Sequence, residues 1–213
     1  TLPGGGILIP LSYGPLGRED RAVCSVLCSF DGDQLKIRRA GNELRLAVKR
    51  GLLEPSLALD RGRYYMTIRA EDERGYVTTS ADGLQWDTIR PWRWDDGQPL
   101  TLSTTQQRWL PHTGGLFLVY TRKAPENLNV MRWRAPLCVA QVDTSNLTLL
   151  RATEQIVFPM SGDGVKAPET VAHLGNFHTT AVNRDLSLVT TGEVLPQRGF
   201  RGDTLVARIH WRR

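Results

Sequence analysis

Short stretches rich in Val, Ile, Thr, Tyr and Leu recur along the chain, and none of them carries the longer period of an amphipathic helix. Glycine, proline, aspartate and asparagine separate these stretches at the spacing of hairpins. The clearest of them cover 64–69, 76–80, 116–121, 137–142 and 205–211. The pattern predicts an all-β protein built from short antiparallel strands.

An aspartate-containing turn recurs three times. Asp31, Asp82 and Asp143 are 51 and 61 positions apart, and each has a large apolar residue four positions later. This spacing is typical of β-propeller blades with loop insertions. An aspartate in a turn can accept hydrogen bonds from the amides of that turn, so these residues are interpreted as structural and not as metal ligands. We predict a β-propeller of four-stranded antiparallel blades, with about four blades at 1–50, 51–103, 104–172 and 173–213.

A second repeat concerns residues that are 15 positions apart. The pairs are Glu54 with Arg69, Gln107 with Arg122, and His178 with Glu193. The first member opens one strand and the second closes the next, and these positions lie at the same edge of an antiparallel hairpin. We therefore expect all six side chains on one rim of the propeller. Because a ring of six such blades needs about 300 residues, missing N-terminal blades or a homo-oligomer would complete it.

Composition and charge narrow the choice of partner. The chain has 27 Lys and Arg against 22 Asp and Glu, and a pI of about 9.4, which favours an anionic partner. The cations are scattered, so a nucleic-acid partner is not expected. No apolar run reaches the roughly 18 residues of a membrane span, so no membrane partner is expected either. The three cysteines are too few for a disulfide framework and are interpreted as buried strand residues; no metal or cofactor is predicted.

The segment Ser80-Ala81-Asp82-Gly83-Leu84-Gln85-Trp86 resembles the Asp-box turn of the sialidase (neuraminidase) superfamily, and the stretch 51–92 is similar to the blade that contains it. Weaker similarity extends through 106–109, 134–137 and 175–178, so that it covers roughly 45–211. The chain resembles most the C-terminal portion of bacterial sialidase-like proteins with BNR repeats.

That resemblance implies a propeller that holds a substrate carboxylate with three arginines and uses a tyrosine nucleophile activated by a glutamate. By position, Glu54 resembles this glutamate and Arg69 resembles the second arginine. Arg134 resembles the third arginine, with Arg132 as the nearby alternative. Where the family has its tyrosine, this sequence reads Gly175-Asn176-Phe177-His178.

These observations define a candidate site. Glu54 is predicted to act as base or nucleophile, His178 as proton donor or acceptor, and Glu193 as its orienting group or a second carboxylate. The predicted substrate-binding residues are Arg69, Arg122, Arg132, Arg134, Gln106, Gln107 and Tyr120, the arginines because a guanidinium binds an anionic group through two parallel hydrogen bonds. The alternative for Glu54 and the arginines is a set of structural ion pairs, and His178 has a structural alternative as well. Aromatic faces suit sugar rings as well as cores, so Trp92, Trp94 and Trp109 stay open between the two. Because Trp92-Arg93-Trp94 precedes the turn-like Asp95-Asp96-Gly97, one ring of Trp92 and Trp94 is a candidate for an exposed loop position.

The sequence favours a glycoside hydrolase of sialidase-like type that acts on a glycan with an anionic sugar. Two alternatives stay open: elimination at a uronide by a base on the same rim, and a non-catalytic propeller that binds a glycan or a protein. The compartment is also open between secreted or periplasmic and cytoplasmic in a bacterium.

Overall fold

The computed structural model describes residues 5–102 and 105–211. This part of the chain forms antiparallel sheets joined by loops and 3-10 turns, with no α-helix, and it contains no helix long and apolar enough to span a membrane. It divides into two compact units. The first unit extends to Asp72 and includes Tyr76–Pro91, and the second contains Glu73–Gly75 and the residues from Trp92 onward.

The first unit contains two sheets. Sheet I has the strand order β1-β2-β3, with β1 at Ile7–Tyr13, β2 at Ala22–Phe30 and β3 at Leu35–Ala40. Sheet II has the order β4-β5-β6-β7, with β4 at Leu53–Asp60, β5 at Arg63–Arg69, β6 at Gly75–Ser80 and β7 at Arg90–Pro91.

Sheets I and II pack through an apolar layer. This layer contains Val23 of β2, Met66 and Ile68 of β5, and Trp86 from the turn after β6. The indole Nε1 of Trp86 donates to Ser25 Oγ at 2.8 Å. Each indole and hydroxyl group in such a layer needs a partner because an unpaired buried polar group costs about 1–3 kcal/mol.

The second unit also contains two sheets. Sheet III has the order β11-β10-β9-β8, and β12 pairs with β10; its strands are β8 (Arg108–His112), β9 (Gly115–Tyr120), β10 (Leu137–Asp143), β11 (Thr148–Leu149) and β12 (Gln155–Phe158). In sheet IV the central strand is β15 (Leu186–Val194), which pairs with β13 (His173–Leu174), β14 (His178–Asn183) and β16 (Thr204–His210).

Sheets III and IV share one apolar core. Leu110, Val119 and Leu137 of sheet III are buried together with Val189 of sheet IV and with Phe177, which directly precedes β14. The two sheets are also joined by a hydrogen bond from Thr179 Oγ1 to the Trp109 carbonyl oxygen at 2.6 Å.

The structure confirms the all-β prediction and the strands on which it rested. Sheets I to IV lie within the predicted repeats in order, and two of these four have four strands while sheet I has three and sheet III five. The outermost residues of the predicted repeats, at 1–4, 103–104 and 212–213, lie outside the described residues. Cys24, Cys28 and Cys138 are buried on strands as expected.

The aspartate turns form as their chemistry predicts. Asp82 Oδ1 accepts from the amides of Leu84 and Gln85 at 2.8 and 2.7 Å, and Asp31 and Asp143 accept from amides of their own turns in the same way. These hydrogen bonds lower the pKa of Asp82, the Gln85 amide contributing most. Asp82 thus fixes the turn that delivers Trp86 to the core.

Candidate functional site

The edge of sheet II brings Glu54 and Arg69 together. Leu53 at the start of β4 pairs with Arg69 at the end of β5, and a bulge follows in which Pro55 has no amide hydrogen to donate. Glu54 lies in this bulge with a φ of +46°, in the left-handed region. Its Oε1 is 2.9 Å from Arg69 Nη1. The predicted proximity of these two residues is confirmed.

Arg69 is buried between two carboxylates. Its Nη2 lies 3.4 Å from Glu71 Oε1, and Glu71 is itself paired with Arg50. The hydrogen bond from Arg50 holds the pKa of Glu71 below its usual range, with the nearby Arg69 charge contributing less. This ion-pair chain is the structural alternative that the sequence had left open, and it occupies the guanidinium that was predicted to bind an anionic sugar.

The same edge carries buried acceptor atoms without a hydrogen-bond partner. Among the described residues they are Glu54 Oε2 and Asp72 Oδ1, and Arg69 Nε is a buried donor that likewise has no partner there. The other Asp72 oxygen accepts from the Tyr76 hydroxyl at 2.5 Å. Buried polar atoms are nearly always satisfied by protein groups or ordered water, so these atoms are points where a water or a ligand donor would bind. Sequence reasoning missed Asp72 and Tyr76, because neither occupies a repeated position.

A second charged cluster lies at the edge of sheet III. Glu154 receives two hydrogen bonds from Arg122, Nε to Oε1 at 2.8 Å and Nη2 to Oε2 at 2.6 Å, and a third from the Tyr120 hydroxyl at 2.6 Å. Burial alone would raise the pKa of Glu154, but the hydrogen bonds from Arg122 and Tyr120 outweigh it and hold the pKa below its usual range. Burial, followed by the Glu154 charge, raises the pKa of Tyr120 far above its usual value.

This arrangement changes the interpretation of Tyr120 and Arg122. Tyr120 is fully buried, and Arg122 forms its bidentate hydrogen bonds with Glu154. Glu154 itself was not predicted, since it follows a 3-10 turn and no repeat marks it. A cavity of about 360 Å³ adjoins Arg122 and is lined by Trp94, Leu100, Lys123 and Leu128 among others.

Gln106 and Gln107 are buried and bonded to the backbone. Gln106 Nε2 donates to the Phe177 carbonyl oxygen, and Gln107 Nε2 donates to that of Thr105 at 2.9 Å. Gln107 lies immediately before β8 instead of opening it. The side-chain amides of both residues therefore serve contacts inside the second unit, and their predicted sugar contacts remain predictions.

His178 and Glu193 do not face each other. His178 opens β14 as expected and is exposed, but it pairs with Thr190, while Glu193 pairs with Leu174 of β13. The strand register therefore does not place Glu193 opposite His178, and the predicted roles of these two residues stay predictions. The same 15-residue spacing therefore marks different geometry in the two sheets.

Arg132 and Arg134 lie in a 3-10 turn before β10. Arg132 is exposed and has a φ of +53°, whereas Arg134 is half-buried. The Arg134 carbonyl oxygen accepts from the Leu174 amide at 2.9 Å. Burial and the charge of Arg134 lower the pKa of His173, so these two side chains are close enough to influence each other.

The expected exposed tryptophan is not found. Trp92, Trp94 and Trp109 are all buried, and Trp92 meets Trp109 edge to face with ring centroids 5.7 Å apart. The guanidinium of Arg151 covers the Trp94 ring at 4.5 Å. Packing against rings and a guanidinium overrides the loop chemistry of Asp95-Asp96-Gly97 that suggested exposure. In the described residues no cluster of three or more His, Cys, Asp or Glu side chains is arranged to hold a metal ion.

No protein-family model and no curated protein sequence matches the chain. Solved structures do match. A protein of unknown function from Dyadobacter fermentans is similar over 98% of this chain and 51% of its own, with a TM-score of 0.64 and 13% identity. The Trypanosoma rangeli sialidase in complex with 2,3-difluorosialic acid, a covalent intermediate, is similar over 95% of this chain and 29% of its own, with a TM-score of 0.58 and 14% identity.

The Cellvibrio cellulosa α-L-arabinanase is similar over 100% of this chain and 72% of its own, with a TM-score of 0.57 and 10% identity. At these identities the similarity shows the fold alone: antiparallel sheets arranged as in β-propeller glycosidases. The chain spans about half the length of the Dyadobacter protein and under a third of the sialidase.

Proposed function

We propose that this protein is carbohydrate-active and hydrolyses a glycosidic bond at the edge of sheet II. The observation that carries the proposal is the pair of buried acceptor oxygens, Glu54 Oε2 and Asp72 Oδ1, that have no hydrogen-bond partner. Sugar hydroxyls are the donors that would satisfy them. The fold shared with a sialidase and an arabinanase supports the same class of ligand.

Glu54 is the proposed base or nucleophile. Its Oε1 is anchored by Arg69 at 2.9 Å, so the carboxylate is oriented while Oε2 has no hydrogen-bond partner among the described residues. Its left-handed backbone turns the side chain out of the regular strand register. Strain of this kind costs of order 1–3 kcal/mol and is concentrated at functional sites.

The finer assignment is a sialidase-like reaction on a glycan with an anionic sugar. In it, His178 moves the proton to or from the leaving group, and Glu193 orients His178 or serves as a second carboxylate. Arg132 and Arg134 bind the anionic group, with Arg69 and Arg122 as further contacts. The resemblance of 80–86 to an Asp-box turn supports this assignment, and Asp82 accepts the amides that such a turn needs.

The test is product release from sialylated, uronic, sulfated and neutral arabinan and fructan substrates by wild type, Glu54→Gln and His178→Ala. General acid or base catalysis contributes about 10²–10⁴-fold, so each variant is expected to lose at least about 100-fold in kcat. Glu126→Gln, at an exposed glutamate, is the matched control and should leave the rate unchanged. A hydrolytic product would identify the reaction as glycoside hydrolysis, and an unsaturated uronide would identify it as elimination. Full activity of Glu54→Gln would contradict the assignment.

A second candidate is a non-catalytic glycan-binding protein. It is favoured by the ion pairs of Arg69 and Arg122, because an anionic sugar would have to compete with Glu54 and Glu154 for these guanidiniums. In this case Asp72→Asn weakens glycan binding in calorimetric titration, while no substrate of the panel is cleaved by wild type.

A further inference from the structure

The cavity beside Arg122 in the second unit combines an apolar wall with cationic groups. Its volume of about 360 Å³ lies within the range of about 300–1,000 Å³ that small-molecule sites occupy. Six of its nine lining residues are apolar, among them Trp94, Pro125 and Leu128; two are the cations Arg122 and Lys123, and none is acidic. We call it the Trp94 cavity.

The Arg122 guanidinium has N–H groups that the protein does not use. A guanidinium carries five N–H donors. Nε and Nη2 each donate to Glu154, and Nη1 donates to the Lys123 carbonyl oxygen at 3.3 Å. One N–H of Nη1 and one of Nη2 therefore have no acceptor among the described residues. The guanidinium carbon lies 6.0 Å from the centroid of the Trp94 ring, so these donors are beside the cavity.

Lys123 supplies the charge of the cavity. Glu154 already balances the charge of Arg122. The nearest acid in the sequence, Glu126, does not line the cavity. No Asp or Glu pairs with the exposed Lys123 ammonium in the part of the chain that the structure describes. An anion in the cavity thus gains one uncompensated positive charge as well as the donors of Arg122.

Trp133 orders the Lys123 side chain. Lys123 Nζ lies 5.0 Å from the centroid of the Trp133 ring, a cation–π contact. Trp133 and Arg132 both have left-handed backbone, with φ of +48° and +53°. Strained backbone at non-glycine residues is concentrated at functional sites. An ammonium that is already held beside the cavity loses less side-chain entropy when it receives an anion.

We propose that the Trp94 cavity binds a small carboxylate with an apolar body, such as an aromatic acid. Its carboxylate accepts hydrogen bonds from Arg122 and Lys123. Its apolar body packs against Trp94 and Leu128. A sugar ring fits less well, because Thr101 is the one neutral polar residue among those that line the cavity. The ligand differs from the glycan of the proposed function, so the inference goes beyond that function.

Titration with benzoate, followed by ligand-observed NMR, tests the cavity. Benzoate is expected to bind saturably. Benzyl alcohol has the same ring without the charge, and glucuronate has the charge but carries hydroxyl groups in place of apolar surface. Each of these two compounds should bind at least tenfold more weakly than benzoate, because each lacks one of the two contacts.

Two variants at exposed residues test the same contacts from the side of the protein. Lys123→Met keeps the aliphatic stem and removes the charge, and it should raise the benzoate dissociation constant about tenfold. Leu128→Gln, at a 47% exposed residue, should raise it at least threefold because the wall becomes polar. Lys166→Met is the matched control, since Lys166 is an exposed lysine of the same unit that does not line the cavity. All three should keep the circular dichroism spectrum of wild type.

Three results would overturn the proposal. Absence of saturable benzoate binding means that the cavity takes no such ligand. Equal dissociation constants for wild type and Lys123→Met place the carboxylate elsewhere. Tighter binding of glucuronate than of benzoate assigns the cavity to a sugar. None of these readouts depends on catalysis, so failure here and failure of the proposed hydrolysis are distinguishable.

Discussion

At the scale of single residues, the candidate site is governed by carboxylates that arginines hold in place. A repeated spacing in the sequence predicted Glu54 as a site residue, whereas Glu154 is identified only by the structure. Arg69 forms an ion pair with Glu54, and Arg122 forms one with Glu154. What distinguishes the two is the second oxygen, which is orphaned in Glu54 and fully bonded in Glu154.

Glu154 should accordingly contribute to stability. Replacement by Gln leaves Arg122, a largely buried guanidinium, without its anion, and removing one partner from such a pair costs about 1–3 kcal/mol. We expect Glu154→Gln to lower the free energy of unfolding in urea by this amount. Asp185→Asn, in an exposed pair with Arg184, should change it by less than about 0.5 kcal/mol.

The pKa of Glu154 predicts the pH dependence of that contribution. The folded-state pKa is lowered from the ordinary 4.5, so the stabilisation is complete above about pH 4.5 and is lost as the pH falls through the folded-state value. The difference between wild type and Glu154→Gln should therefore shrink on acidification below pH 4.5. A constant difference down to pH 3 would contradict the ionised pair.

At the scale of elements, the turn at 80–86 has a backbone conformation that its residues predict and a packing contact that they do not. Asp82 and the glycine after it are readable as a turn, since Gly83 has a φ of +74° that glycine tolerates. The sequence does not show that a Cβ at this position would lie 2.4 Å from Leu8 Cδ2 on sheet I. This glycine is thus required for close approach as well as for conformation.

Gly83→Ala should cost more than its backbone conformation alone. Gly62 provides the matched control, because it has a φ of +79° and nothing within 4 Å of a Cβ. Both substitutions pay about 1 kcal/mol for the left-handed backbone, and Gly83→Ala pays a further 1–3 kcal/mol for overpacking, of that order in other cores. Equal midpoints of thermal unfolding for the two variants would show that Leu8 moves aside freely.

The strands were predictable and the registers were not. Richness in β-branched and aromatic residues between turn residues identified β5, β6, β9, β10 and β16. The 15-residue spacing does not fix the strand register, which differs between sheets II and IV because bulges and pairing offsets are set by tertiary contacts. The burial of Trp94 was not predicted for a related reason, since the guanidinium that covers its ring belongs to Arg151, 57 positions away in the sequence.

At the scale of the whole molecule, the net charge of +5 attracts any polyanion, whatever the candidate site does. Most of the arginines outside the ion pairs described above are spread over both units, and exposed charges are screened beyond about 8 Å at physiological ionic strength. Binding that rests on them is diffuse, and no single substitution should remove it. A site that binds an anionic sugar behaves differently, because its charges converge on one ligand.

Elution from an anionic polysaccharide column by a salt gradient separates these cases. We expect wild type to elute at about 0.15–0.2 M salt, where surface charges are screened. Arg61→Glu, at an exposed turn position, should shift elution to lower salt by what one charge contributes to a diffuse field, and an equal shift for Arg132→Glu would contradict an anion contact at Arg132. The proposed contact predicts a much larger shift for Arg132→Glu than for Arg61→Glu, which would locate the anion contact beside β10. It would also favour the anionic sugar over the neutral one as the substrate, because a neutral glycan gains nothing from a guanidinium placed there.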